Sequence, residues 1–263
     1  MNHSGKRKTI SASLVLFELR NITGNPFVHI FGIGMPILMA IIIPNIFASE
    51  IQDSELLSTI ITGVFLGIGP MIPLATILMG YTAIYSQELE KGIPQRMELF
   101  GIRQGMTILN RILSELIFQS FALGIYFLVG IFVIKIKAPT AAGLFFYLLC
   151  IVALSIISFL LGHAIALLFK KFGVAYCITM MIFFATMIIS GMMGISYEQL
   201  PSPLQAVARL LPTTYITKDF SDVWLGQEYN FMPMLQAFLF VGALSGLLLF
   251  ICLGKNRRRR AAS

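Results

Sequence analysis

The chain has 263 residues, of which 57% are apolar and 12% charged, with a formal net charge of +7 and a mean hydropathy of +0.85. A soluble domain carries about 25% charged residues, so this composition excludes a soluble globular protein and indicates an integral membrane one. Crossing about 30 Å of hydrocarbon takes roughly 20 apolar residues in a helix, since no water is present to bond an unpaired backbone N–H or C=O.

The first 25 residues are too polar for the apolar region of a cleavable signal peptide, although Lys6, Arg7 and Lys8 resemble its basic start, so the N-terminus is expected to persist. Within it, Ala12, Val15, Leu16, Leu19 and Ile22 follow helical spacing, with Ser11, Ser13, Glu18, Arg20 and Asn21 on the other side. Residues 11–23 are therefore expected to lie as a helix in the membrane interface, stopped by Gly24, Asn25 and Pro26.

Six apolar stretches are long enough to span: Phe27–Ala48, Ser58–Ser86, Ile108–Ile134, Ala141–Phe169, Val174–Ile195 and Phe231–Leu253. They consume most of the chain, so one transmembrane domain over residues 1–263 is expected, all-α. Gly63, Gly67, Gly69, Pro70, Pro73 and Gly80 predict a second span that is kinked and closely approached by its neighbours. Cys150, Cys177 and Cys252 fall inside spans and read as small apolar residues.

Basic residues near span ends are retained on the cytoplasmic side. With both termini inside, fifteen Lys and Arg residues lie within and four outside, namely Lys135, Lys137, Arg209 and Lys218. The positive charge is thus a statement about orientation and anionic lipid rather than nucleic acid. The run Arg257 to Arg260 reads as a stop-transfer anchor, and the acidic loop with Glu50, Asp53 and Glu55 as outer.

Between the second and third spans lies a mixed-charge island from Glu88 to Arg111. Glu88, Glu90, Lys91, Arg96, Glu98 and Arg103 provide pairing points for a partner surface. Ile93, Met97, Leu99 and Phe100 add apolar knobs that a solvated loop has little reason to carry.

In the third span Glu115 follows Arg111 by four residues, so an ion pair along the helix is expected. His163, deeper in the fourth span, is expected to hydrogen-bond a neighbouring helix. A buried ionisable residue also carries a default pathway role, so Glu115 and His163 stand as intramembrane pathway candidates. Before the last span, Ser202, Pro203 and Gln205 predict a capped helix with Leu204, Val207, Ala208 and Leu211 on one face, ended by Pro212. Gly191 and Gly194 allow residues 190–229 to dip back into the outer leaflet, and Trp224, Tyr229 and Phe231 read as an interfacial aromatic anchor.

No G-x-x-x-x-G-K-[ST] phosphate loop, G-x-S-x-G elbow or H-E-x-x-H helix occurs, and His3, His29 and His163 lack metal-ligand spacing. The chain is therefore expected not to be an enzyme, to bind no metal or cofactor, and to draw any energy from another polypeptide.

Two runs resemble the permease family of ABC-2 type transporters. One is Glu88, Glu90, Lys91 and Gly92 after the second span; the other is Leu200, Pro201, Leu204, Gln205, Leu210, Pro212, Thr214 and Tyr215 before the last. The family's usual Thr and Glu after Gly92 are replaced here by Ile93 and Gln95, with Pro94 between, and Gly101 stands where a Pro is common. The resemblance implies six transmembrane helices with an N-terminal interfacial helix, a cytoplasmic coupling helix over 87–101, and short external or re-entrant helices before the last span.

By the same resemblance, Glu88, Glu90, Lys91, Gly92, Arg96, Met97, Glu98 and Phe100 would couple to the ATPase. Pro201, Leu204, Gln205, Pro212 and Tyr215 would form an external gate segment. The partners implied are cytosolic ABC ATPase subunits that hold ATP-Mg, a second permease copy or a paralogous permease, and membrane lipids. The setting implied is a cell membrane of bacterial type, the activity export of a drug-like, peptide or lipid-like compound.

Two other readings stay open on sequence. One is a stand-alone immunity or sensor protein using Ser190–Tyr229. The other is a membrane-embedded enzyme, since Phe159-x-x-x-His163 is similar to an element of the CAAX-type proteases, although the adjacent glutamates of that family are lacking.

Overall fold

The computed structural model of the chain describes residues 12–48, 53–101 and 104–261. Ser11, the Lys6 to Lys8 cluster, Glu50 and Arg103 lie outside the described residues, as do the side chains of Arg257 to Arg260. Among the described residues the chain is helical without strands.

Helix α1 is Ala12–Thr23, as its periodicity predicts. Six long apolar helices follow in antiparallel succession: α2 (Pro26–Ile46), α3 (Ser54–Glu90), α5 (Gly105–Ile134), α6 (Ala141–Phe169), α7 (Phe172–Ile189) and α10, whose apolar part is Met232–Asn256. Between α3 and α5 lies the short α4 (Ile93–Leu99); between α7 and α10 lie α8 (Ser202–Ala208) and α9 (Pro212–Leu225). One end of the bundle, the basic end, gathers α1, α4 and the C-terminal part of α10; the far end gathers α8 and α9.

The most buried helix is α3, around which the others pack. At 37 residues it is roughly 55 Å long, against about 30 Å of hydrocarbon. Pro70 lacks the N–H that would bond the carbonyl of Leu66, four residues back. That carbonyl instead accepts the Tyr147 hydroxyl of α6 at 2.9 Å, which can approach because Gly69 has no side chain: a Cβ there would lie 1.8 Å from it. The Tyr126 hydroxyl of α5 likewise reaches the Phe65 carbonyl at 2.7 Å, its ring stacked on Phe65 at 4.2 Å. Below Pro73, residues Leu74–Tyr81 widen into a π-helical stretch that is buried throughout. The close packing predicted for the second span thus takes a specific form, in which the Tyr147 hydroxyl meets the carbonyl that Pro70 leaves free.

Several expectations need correction. The fifth span ends at Ile189, six residues short of Ile195, because Gly191 and Gly194 adopt φ of 82° and 85° and reverse the chain. A side chain at Gly191 would meet the Ile195 carbonyl at 2.8 Å. The capping box falls at Ser196 and Gln199, not Ser202 and Gln205; Pro201 precedes α8, and the Gln205 amide donates to the Leu200 carbonyl at 2.9 Å.

Pro212 ends the α8 segment but also opens α9. That helix runs antiparallel to the first half of α3, with Thr217 beside Gly67 and Ser221 beside Gly63. Trp224, expected as an interfacial anchor, is 1% exposed: its indole N–H donates to the Lys137 carbonyl at 2.8 Å, inside a cluster with Phe127, Tyr147 and Phe220.

Candidate functional site

At the basic end, α1 is fixed by charge as much as by apolar contact. The Arg111 guanidinium of α5 grips Glu18 of α1 through two nitrogens, Nε to Oε2 at 3.0 Å and Nη2 to Oε1 at 2.9 Å. Its Nη2 also reaches both carboxylate oxygens of Glu88, near the end of α3, at 2.7 Å, and the guanidinium lies 5.4 Å from the centre of the Tyr85 ring. One turn along α5, the Ser114 hydroxyl donates to the Val15 carbonyl of α1 at 3.0 Å. Arg111 therefore joins three helices at a single buried point, with side chains only 4–12% exposed.

Two sequence expectations change here. Glu18, expected on the polar side of the interfacial helix, is buried with Ile22, while Leu16 and Phe17 are exposed. A carboxylate tolerates that position only because Arg111 pairs it fully. The expected ion pair of Arg111 with Glu115 is absent: Arg111 is consumed by Glu18 and Glu88, and Oε2 of the buried Glu115 has no hydrogen-bond partner among the described residues. Since Glu115 adds a third carboxyl near an already neutralised guanidinium, Glu115→Gln is expected to leave the thermal midpoint in detergent unchanged or raised. A fall of roughly 4 °C or more, the shift about 1–2 kcal/mol produces in a chain of this size, would make Glu115 a contributor to the clasp.

Of Glu88 and Glu90, both expected to face a partner, Glu88 turns inward to Arg111 while Glu90 stays exposed. Glu90 accepts the Phe172 N–H at 2.9 Å and so caps the start of α7. The reversal that follows depends on Gly92, at φ 67°, with Pro94 accepted in the first turn of α4 because no helical N–H is needed there. Beyond the turn the chain faces outward. Lys91, Arg96 and Glu98 are exposed, Met97 is half-buried, and Leu99 and Phe100 are 86% and 85% exposed. Arg96 steadies the turn by donating to the Lys91 carbonyl at 2.6 Å.

Above the clasp lies a buried polar layer. The Tyr81 hydroxyl hydrogen-bonds Nδ1 of His163 at 2.5 Å, and the imidazole stacks on Tyr85 at 4.9 Å. Gly162 permits this: a Cβ there would stand 2.4 Å from the Thr82 hydroxyl. Higher still, Ser155 donates to the Gln119 side-chain oxygen at 2.8 Å. His163 thus has the neighbouring-helix partner expected of it. Among the described residues no group of His, Cys, Asp and Glu is placed to hold a metal ion.

At the far end a cavity of about 440 Å³ opens between α2, α3 and the 190–218 segment, with Val64, Gly67, Ser190, Glu198, Thr214 and Thr217 on its walls. Ser190 and Thr213 share a hydrogen bond at 2.5 Å that ties the end of α7 to the start of α9. Glu198 pairs with Lys218 at 3.3 Å; a bond with its own backbone, then this lysine, holds the carboxyl below its usual range. Burial pushes the Asp219 carboxyl up. Of the gate candidates, Pro201 and Leu204 are exposed, Gln205 is half-buried and Pro212 is buried; the half-buried Tyr215 donates to the Arg209 carbonyl at 3.0 Å.

Sequence reasoning missed Glu18, Tyr81 and Tyr85 and gave Arg111 the wrong partner. The 93-residue separation of Glu18 and Arg111 leaves no local signal. Compared with known families, the chain matches the model described as ABC-2 type transporter over residues 12–225. No curated protein matches the chain.

Proposed function

Because this chain belongs to the ABC-2 type transporter family and is a transport permease subunit, we propose that it forms the substrate pathway of an exporter driven by a separate ATPase. In this reading the basic end faces the cytoplasm with both termini, and two cytosolic ABC ATPase subunits dock there and hydrolyse ATP-Mg. A second copy of the chain, or a paralogous permease, completes the pathway across a bacterial-type cell membrane. The cargo is a drug-like, peptide or lipid-like compound, and the far-end cavity beside Pro201 to Tyr215 is its exit.

The observation that carries this reading is α4. A seven-residue helix at the tip of the longest span leaves Leu99 and Phe100 in solvent, with Lys91 and Arg96 beside them. Exposed aromatic and aliphatic side chains rimmed by basic ones suit a protein interface better than a solvated turn. Behind it, the bonds of Glu88 to Arg111 and of Glu90 to the Phe172 N–H connect the same tip of α3 to α1, α5 and α7, so a push on α4 would reach four helices. In this mechanism Glu88 and Glu90 transmit the motion, while Met97, Glu98 and Phe100 receive it.

Co-expression with a candidate ABC ATPase tests the assignment. The native chain is expected to co-purify the ATPase. The pair Leu99→Asp and Phe100→Asp should reduce the recovered ATPase about ten-fold or more, the loss expected when one or two apolar anchors of an interface are removed. Undiminished co-purification by that well-folded variant would move the docking surface away from α4.

A further inference from the structure

The elbow between α1 and α2 encloses a groove of about 340 Å³, closed on its other sides by α3 and the start of α7. Its polar lining residues, Arg20, Asn21, Asn25, Gln87 and Tyr176, all carry donors. No carboxylate lines it. Among the described residues the exposed Arg20 side chain has no ion-pair partner, and the buried hydroxyl oxygen of Tyr176 has no hydrogen-bond partner. The acidic side chains close by in sequence are all engaged, Glu18 and Glu88 by Arg111 and Glu90 by the Phe172 N–H.

The remaining walls are apolar, with Phe27, Ile84 and Phe172 prominent. The Tyr176 ring stacks on Phe172 at 5.5 Å and tilts against Phe27 at 5.9 Å, which fixes its unpartnered hydroxyl in place. Lys170 and Lys171 immediately precede Phe172 and add positive charge at the same level. An anion therefore fits the polar half of the groove and hydrocarbon fits the other half. The position, where an amphipathic helix meets two membrane-spanning ones, is the depth at which such amphiphiles reside.

We propose that this groove binds the phosphate headgroup of an anionic glycerophospholipid, with its acyl chains laid along Phe27, Ile84 and Phe172. Arg20 contributes the charge-assisted hydrogen bond and Tyr176 the oriented hydroxyl. A lipid seated there fills the elbow that the Arg111 clasp leaves open on the opposite side of α1. The site stands apart from α4 and depends only on membrane embedding, so its test is independent of any ATPase.

The full chain is reconstituted in vesicles of equal parts phosphatidylcholine and phosphatidylglycerol, re-extracted in mild detergent, and its retained lipid weighed by native mass spectrometry. Preferential retention of phosphatidylglycerol is expected. Arg20→Gln should lower that preference about five-fold, the worth of one basic residue at an anionic surface. Tyr176→Phe, which keeps the ring stack, should lower it by less and serves as the second variant if Arg20→Gln fails to fold. Lys255→Gln, a basic residue of the same end outside the groove, should change nothing. The proposal is overturned by unchanged retention in both groove variants, or by an equal loss in Lys255→Gln. Displacement of phosphatidylglycerol by inorganic phosphate at matched concentration would assign the groove to free phosphate and overturn the lipid occupant.

Discussion

Replacing Arg111 with methionine is expected to destabilise the protein by about 3–5 kcal/mol, because the change strands Glu18 and Glu88 as buried, unpaired carboxylates. In a chain of this size that corresponds to a fall of roughly 10 °C in the thermal midpoint, measured on detergent-solubilised protein. The loss does not measure the worth of the ion pairs. Most of it is the desolvation of two carboxylates whose only counter-charge has gone, since the three side chains are 4–12% exposed.

A more demanding comparison follows from the same physics. The triple change Arg111→Met, Glu18→Leu and Glu88→Leu should recover most of the stability, because an apolar trio of similar volume removes the penalty together with the attraction. Arg111→Lys should fall between the two, since an ammonium cannot grip Glu18 through two nitrogens while also meeting Glu88. If Arg111→Met melts with the native chain, the clasp contributes nothing and α1 is held by its apolar contacts and by Ser114. If the triple variant is stable yet fails to transport, the charges serve coupling rather than folding.

The second large effect is expected at Gly143, on the first turn of α6. A Cβ there would lie 2.7 Å from the Trp224 Cα, 2.7 Å from the Val223 carbonyl oxygen and 2.8 Å from that of Trp224. All three are backbone atoms, so no rotamer change relieves the clash; α9 as a whole has to move away from α6. That movement breaks the hydrogen bonds from the Thr140 N–H and hydroxyl to the Trp224 carbonyl, at 3.0 Å and 3.2 Å. It also loosens the indole from the Lys137 carbonyl. Gly143→Ala is expected to cost about 1–3 kcal/mol as overpacking, and Gly143→Val more.

Trp224 is the only tryptophan of the chain, so its fluorescence reports this site alone. The emission should shift to the red as the indole, now 1% exposed, meets water. Gly246→Ala on α10, where a Cβ meets nothing within 4 Å, is the control and should stabilise slightly through helix propensity. An unchanged spectrum in Gly143→Ala would show that α6 and α9 tolerate separation.

The two variants probe opposite ends of the bundle and different kinds of contact. At the basic end three distant charges meet; at the far end two backbones touch through a missing side chain. Only the second leaves a trace in the sequence, as a glycine in the first turn of a long apolar helix, and even there the partner is not indicated. The coupling segment shows the same division. Exposed Leu99 and Phe100 could be anticipated from their place in a polar island, whereas the partners of Glu88 and Glu90 could not be read, because a carboxylate at a span end looks alike whether it meets water, a guanidinium or a helix N-terminus.

Sequence by itself determined the membrane class, the six spans to within a few residues at most ends, the amphipathic α1, and the family, because hydrocarbon imposes length and apolarity on every segment that crosses it. It also indicated a distorted α3, since proline and glycine act on their own helix. Tertiary structure alone decided the partners: Arg111 with Glu18 and Glu88 rather than Glu115, Tyr81 with His163, Tyr147 with the carbonyl that Pro70 frees, and Trp224 buried rather than interfacial. Periodicity states which face of a helix is apolar, but a buried polar group is permitted only by what stands opposite it. That neighbour is set by how the helices pack, tens of residues away along the chain.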